Sequence, residues 1–92
     1  MSRVTVRIPA ALRPFVEGAR ELELDVATVG DALTQIGGRH DHFLPRILTP
    51  AGELRPFVNV FVGATNVRHL QGLATPVADG VEISIIPAVA GG

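Results

Sequence analysis

The 92-residue sequence contains no cysteine and no lysine, and neither tyrosine nor tryptophan accompanies its four phenylalanines. Without cysteine there is no disulfide, no thiolate nucleophile and no thiolate metal site. Any sulfur chemistry in which this chain takes part must therefore run through a group other than a side-chain thiol. Because lysine is missing, all eight basic residues are arginines, and set against nine acidic residues they leave a formal net charge of −1. With no excess of cations to neutralise phosphates, no nucleic-acid partner is expected. No stretch approaches the ~20 consecutive apolar residues of a membrane helix. The opening residues Met1 to Arg7 alternate apolar and polar side chains instead of forming the apolar run of a signal peptide. The expectation is a cytoplasmic protein with no membrane partner.

What is present is an ordinary globular composition, 47% hydrophobic. A chain of this length forms one domain and buries roughly 60–65% of the surface its unfolded form exposes, enough for one small core. Val4, Val6 and Ile8 alternate with Arg3, Thr5 and Arg7, the period of a half-buried strand, and Pro9 ends it. Leu22, Leu24 and Val26 alternate with Glu21, Glu23 and Asp25, which predicts a second strand antiparallel to the first across a loop containing Pro14 and Gly18. The acidic outer face of that strand suits cross-strand pairing with the arginines of the first.

Thr28 with Asp31 three residues on resembles a weak capping box; Val29, Ala32, Leu33 and Ile36 then share one helical face, and Gly37-Gly38 is the expected stop. Residues 39–56 are punctuated by Pro45, Pro50, Gly52 and Pro56 and are read as irregular, with Phe43, Leu44, Ile47 and Leu48 tucked against the core, at most as one helical turn. Phe57 to Val62 is rich in β-branched and aromatic residues and predicts a strand. Gly63-Ala64-Thr65-Asn66 turns it into a short edge piece, Leu73 to Gly80 makes a connection, and Val81 to Ile86 is the last strand. Strand, strand, helix and strands again, with the first and last strands parallel at the centre, is an α+β arrangement with one main helix on one face of a mixed four- to five-stranded sheet. The domain is set at residues 1–87 and a flexible tail at residues 88–92.

The tail reads Ala88-Val89-Ala90-Gly91-Gly92, small and uncharged, and spans at most about 17 Å when extended. Two glycines without Cβ atoms suit a narrow channel and leave the last carbonyl carbon open to attack. The terminal carboxylate is ionised at neutral pH, with a reference pKa of about 3.3–3.7, and is a poor electrophile until activated. Transfer of AMP from ATP supplies that activation, and a sulfur nucleophile then converts the acyl-adenylate to a thiocarboxylate. The chain needs no catalytic residue of its own for this.

The segment from Asp79 to Gly92, DGVEISIIPAVAGG, resembles the closing pattern of the ubiquitin-like sulfur-carrier proteins: a D-G turn, an apolar strand, a proline and a small tail ending in Gly-Gly. That family includes the small subunit of molybdopterin synthase and the thiamine-biosynthesis sulfur carrier. Ile8-Pro9 with Leu12-Arg13, Phe57-Val58-Asn59 and Leu73-Ala74-Thr75 look most like the thiocarboxylate carriers of cysteine biosynthesis. One departure is Val81, where many members carry an acidic residue. The resemblance implies a ubiquitin-like β-grasp fold and a non-catalytic carrier that binds no cofactor itself. Its Gly92 would be adenylated by an ATP-dependent enzyme of the ubiquitin-activating type, and a persulfide-bearing donor would supply sulfur. A sulfur-accepting biosynthetic enzyme would follow, a pyridoxal-phosphate enzyme in the cysteine pathway or another sulfur-inserting enzyme in natural-product pathways, with a protease releasing the product.

With Val58, Val60 and Val62 turned towards the helix, Phe57, Phe61 and Ile86 fall on the open sheet face and form a candidate docking patch beside the tail root. Residues Ala88, Val89, Ala90 and Gly91 would thread into the partner's active site. His40-Asp41-His42 lacks a third ligand nearby and is read as a solvated loop, so no metal is assigned. Arg13, Arg55 and Arg68 are read as surface ion-pair partners. Three other functions stay open: a modifier joined through Gly92 to lysines of other proteins, a molybdopterin synthase small subunit, and a noncovalent domain whose tail has no role.

Overall fold

The computed structural model of the chain describes residues 1–87. Five strands, β1 (Ser2–Arg7), β2 (Glu21–Val26), β3 (Val58–Val62), β4 (Thr65–Asn66) and β5 (Glu82–Pro87), form one mixed sheet in the order β2-β1-β5-β3-β4. β1 and β5 are parallel and central, with Val6 opposite Ile83, and the remaining neighbours are antiparallel. Helices α1 (Val29–Arg39) and α2 (Leu44–Ile47) belong to the connection between β2 and β3. The core is built from alternate residues of each strand, Val4, Val6, Leu24, Val26, Val58, Val60, Ile83 and Ile85, closed by Val29, Ala32, Leu33 and Ile36 of α1 and by Phe43 and Ile47. Period two in the strands and period 3.6 in the helix thus meet in one apolar layer.

The β1–β2 hairpin follows the sequence reading, with a modification in its connection. That segment is not a plain loop: Ala10–Val16 is a 3₁₀ helix that buries Leu12 and Val16. It ends with Glu17 at φ 56 and Gly18 at φ 81, and the Gly18 N–H reaches back to the Arg13 carbonyl at 2.7 Å. Of the cross-strand charge pairs, Arg3–Asp25 forms at 3.0 Å. Arg7 stands opposite Glu21 in register but pairs at 3.5 Å with Glu82 on its other neighbour, β5.

Thr28 caps α1, its hydroxyl accepting the Asp31 N–H at 3.1 Å. The helix does not stop at Gly37-Gly38. It runs through both to Arg39, and the His40 N–H closes the last turn on the Ile36 carbonyl. Gly37 is there for closeness, since an added Cβ would sit 2.4 Å from Leu44 Cγ. The glycine that looked like a terminator is the seat of the α2 side chain on α1. α2 is the single turn expected, and Phe43 just before it and Ile47 at its end are fully buried.

At the other end, β3 begins at Val58, leaving Phe57 in the preceding turn. The connection expected from Leu73 onward contains a 3₁₀ turn over Gly72–Ala74 and the buried Thr75, whose hydroxyl donates to the Gly72 carbonyl at 2.7 Å. β5 is displaced by one residue from the expected strand and spans Glu82–Pro87. Val81 stays outside it, with its carbonyl accepting the Thr5 N–H at 3.1 Å. Pro87 closes the strand opposite Val58, at a terminus where its missing N–H costs the ladder little.

Candidate docking face and tail root

The root of the tail is fixed from both sides. Asp79-Gly80 makes the turn into β5, with Gly80 at φ 82, and is bound to β1: Asp79 Oδ1 accepts the Arg3 N–H at 2.7 Å, and the Gly80 N–H donates to the Arg3 carbonyl at 2.8 Å. Val81 is partly buried against the core, and Glu82 next to it carries the charge that meets Arg7. β5 is then held between β1 and β3 as far as Pro87. The tail residues named from the sequence, Ala88, Val89, Ala90, Gly91 and Gly92, lie outside the described residues.

β5 and β3 present the open face of the sheet near that root. Ile86 is opposite Asn59 and 49% exposed; Phe61, partly buried, is opposite Ser84. Val58 and Val60 point the other way and are fully buried, while Val62 is only partly so. Phe57 is 48% exposed and sits one residue before the strand. It lines a cleft of about 480 Å³ with Phe15, His42, Pro45, Arg46 and Arg55. The three residues proposed from the sequence therefore divide into Phe61 and Ile86 on the sheet and Phe57 at its rim.

The three arginines read as ion-pair partners have a different use. Arg13 Nε donates to the Ile8 carbonyl at 3.1 Å and Arg55 Nε to the Pro45 carbonyl at 2.8 Å. Arg68 donates to the carbonyls of Arg55 and Val58, at 2.8 and 2.6 Å, and to Asn59 Oδ1 at 3.3 Å. Among the described residues the ion pairs are Arg3–Asp25 and Arg7–Glu82. Guanidinium groups have five N–H donors in a planar fork, which suits them to gather backbone carbonyls. Two of those carbonyls, Pro45 and Arg55, belong to the segment read as irregular, and the other two, Ile8 and Val58, lie at strand ends; no spacing in the sequence signals these pairings. Phe15 and Arg46 were also missed. They are 31 positions apart in the sequence, and only folding brings the Arg46 guanidinium to 4.4 Å from the Phe15 ring centroid.

A mixed five-stranded sheet with parallel central strands and one main helix on one face is a ubiquitin-like β-grasp fold. Within that class the chain belongs to the ThiS family, whose model matches residues 6–92. It is 38% identical to the sulfur carrier protein CysO of Mycobacterium tuberculosis, covering 97% of this chain and 98% of that protein. It is 43% identical to small archaeal modifier protein 3 of Haloferax volcanii over 74% of this chain and 73% of that one. A chain in the crystal structure of the Amycolatopsis orientalis BexX/CysO complex superimposes with a TM-score of 0.89 at 38% identity, covering 97% of this chain and 99% of that chain. Among the described residues, no helix is long and apolar enough to cross a membrane.

Proposed function

We propose that the protein is a sulfur carrier whose Gly92 carboxylate is converted to a thiocarboxylate. The observation that carries this reading is a family match that extends through the Gly-Gly end, over residues 6–92, on a chain 38% identical to a named sulfur carrier. In the first step a Gly92 carboxylate oxygen attacks the α-phosphorus of ATP, pyrophosphate leaves, and an acyl-adenylate forms. Hydrosulfide then attacks the carbonyl carbon, the bond to the AMP oxygen breaks, and loss of the proton leaves the thiocarboxylate. From a persulfide the same attack gives an acyl disulfide, whose S–S bond a thiol reduces.

The chain itself contributes position. β5, anchored between two neighbours, presents the tail from a fixed point, and the apolar half of the open face offers the partner a surface beside it. The adenylating enzyme supplies nucleotide chemistry, and a separate enzyme accepts the sulfur to make cysteine or another sulfur-containing metabolite; the chain acts as their co-substrate in the cytoplasm and does not act as a catalyst. Incubation with ATP, the adenylating enzyme of the same source and sulfide is expected to raise the intact mass by the difference between one sulfur and one oxygen. Deleting Gly92 abolishes the increase. An unchanged mass with a demonstrably active enzyme overturns the reading.

The likeness to small archaeal modifier protein 3 favours a second reading, conjugation through Gly92 to lysines of other proteins. Tryptic peptides from the source cells that carry the His69–Gly92 segment on a lysine ε-amine, lost with the gene for this chain, distinguish it.

A further inference from the structure

The cleft at the rim of the sheet is a cationic and aromatic surface that the reading above leaves unused. Phe15 and Phe57 form its apolar walls, and Arg46, Arg55 and His42 supply its polar groups. Arg46 is exposed and lies over the Phe15 ring; Arg55 spends only Nε on the Pro45 carbonyl among the described residues, so both of its terminal nitrogens can donate to a further partner. Neither arginine has a carboxylate within ion-pair reach among the described residues, in contrast to Arg3 and Arg7. The protein's own acidic strand face, Glu21, Glu23 and Asp25, is on β2, at the far edge of the sheet from β3.

The position of the cleft says what meets it. Phe57 precedes Val58, and Val58 is paired with Pro87, the last residue of β5. The 3₁₀ helix that carries Phe15 leaves the sheet after β1, which runs parallel to β5, and so departs from the same end. Five residues follow Pro87 and extend at most about 17 Å. A protein that takes Gly92 into an active site must bring the mouth of its channel close to Pro87, and the cleft borders that approach.

Resting on the carrier reading, we propose that this cleft docks a carboxylate-bearing loop at the channel mouth of the adenylating enzyme. Asp or Glu side chains of the loop engage the Arg46 and Arg55 guanidiniums, and an apolar residue beside them packs between Phe15 and Phe57. Planar guanidiniums pair bidentately with carboxylates, and the aromatic walls exclude water from that pairing. Charges at the rim of an interface act chiefly on the rate of encounter and on its salt dependence.

The test measures thiocarboxylate formation by the full-length chain as a function of carrier concentration and of salt, with the adenylating enzyme of the same source. Arg46→Glu is expected to raise KM about tenfold at low salt with kcat retained, and to flatten the salt dependence. Arg46→Lys, which keeps the cation, restores most of the loss. Arg55→Gln, checked for folding by thermal unfolding because it removes the Nε hydrogen bond to the Pro45 carbonyl, is expected to raise KM in the same direction. Affinity for the enzyme, read by anisotropy with a chain lacking Gly92, should fall in parallel. Unchanged KM, affinity and salt slope in folded Arg46→Glu and Arg55→Gln proteins overturn the docking proposal. Persistence of thiocarboxylate in the Gly92 deletion instead overturns the carrier reading, so the two failures are separate.

Discussion

Ile85 and Ile86 are adjacent in β5 and have opposite surroundings: Ile85 is 2% exposed and Ile86 is 49% exposed. The contrast holds along the central strands. One face of β5 and β3 carries Ile83, Ile85, Val58 and Val60, all sealed under the helices; the other carries Ser84, Ile86, Asn59 and Phe61. The open face is itself divided. Across β1 and β2 it bears Arg3, Arg7, Glu21, Glu23 and Asp25, and the arginines are neutralised within the sheet or by Glu82. Across β5 and β3 it bears none of these charges apart from Glu82 at the start of β5. A large apolar side chain left in water on a strand whose other face is fully packed is not required by the fold. Its cost is tolerated where a partner covers it, and Ile86 is in the last turn of sheet before the tail.

The contrast between the faces is tested most severely by paired substitutions. Ile85→Ala is expected to cost about 2–5 kcal/mol of stability, seen as a lower denaturant midpoint, because it removes buried methyl groups and leaves a cavity. Ile86→Asp is expected to leave stability within about 1 kcal/mol while raising the KM for adenylation about tenfold, equivalent to roughly 1.4 kcal/mol of lost docking. If Ile86→Asp unfolds the protein and leaves KM alone, the open face is part of the core and the docking role is wrong. Thr28→Ala, acting on the helix that closes the packed face, should cost about 1 kcal/mol through the lost cap on the Asp31 N–H. The smallest effect belongs to the charged half. Arg3→Ala breaks an exposed pair whose contribution is about 0–1 kcal/mol and should not change KM.

The contrast between Ile85 and Ile86 is written in the sequence as a break in phase; alternation made the strands legible, the Thr28 cap and the shared face of Val29, Ala32, Leu33 and Ile36 made the helix legible, and the order of elements gave the parallel central pair. Misreadings fell where one residue type serves two purposes. Gly37 carries the usual sign of a helix end, but the same lack of a Cβ admits Leu44, and the second use prevails. Arg13, Arg55 and Arg68 look like surface charges in the sequence, but each donates to backbone carbonyls that only folding brings within reach. Phe57 has the composition of the strand it precedes, and the turn that holds it moves it to the rim. The cleft it lines combines residues from three distant segments and left no local pattern to find.

The reacting group itself is tested by locating the sulfur. With no lysine in the chain, trypsin leaves the last 24 residues, from His69 to Gly92, as one peptide after Arg68. Fragmentation of that peptide from protein treated with ATP, the adenylating enzyme and sulfide is expected to place one sulfur in the terminal Gly92 fragment and none elsewhere. Sulfur on any other residue, or none at all with an active enzyme, contradicts a carrier that works through Gly92.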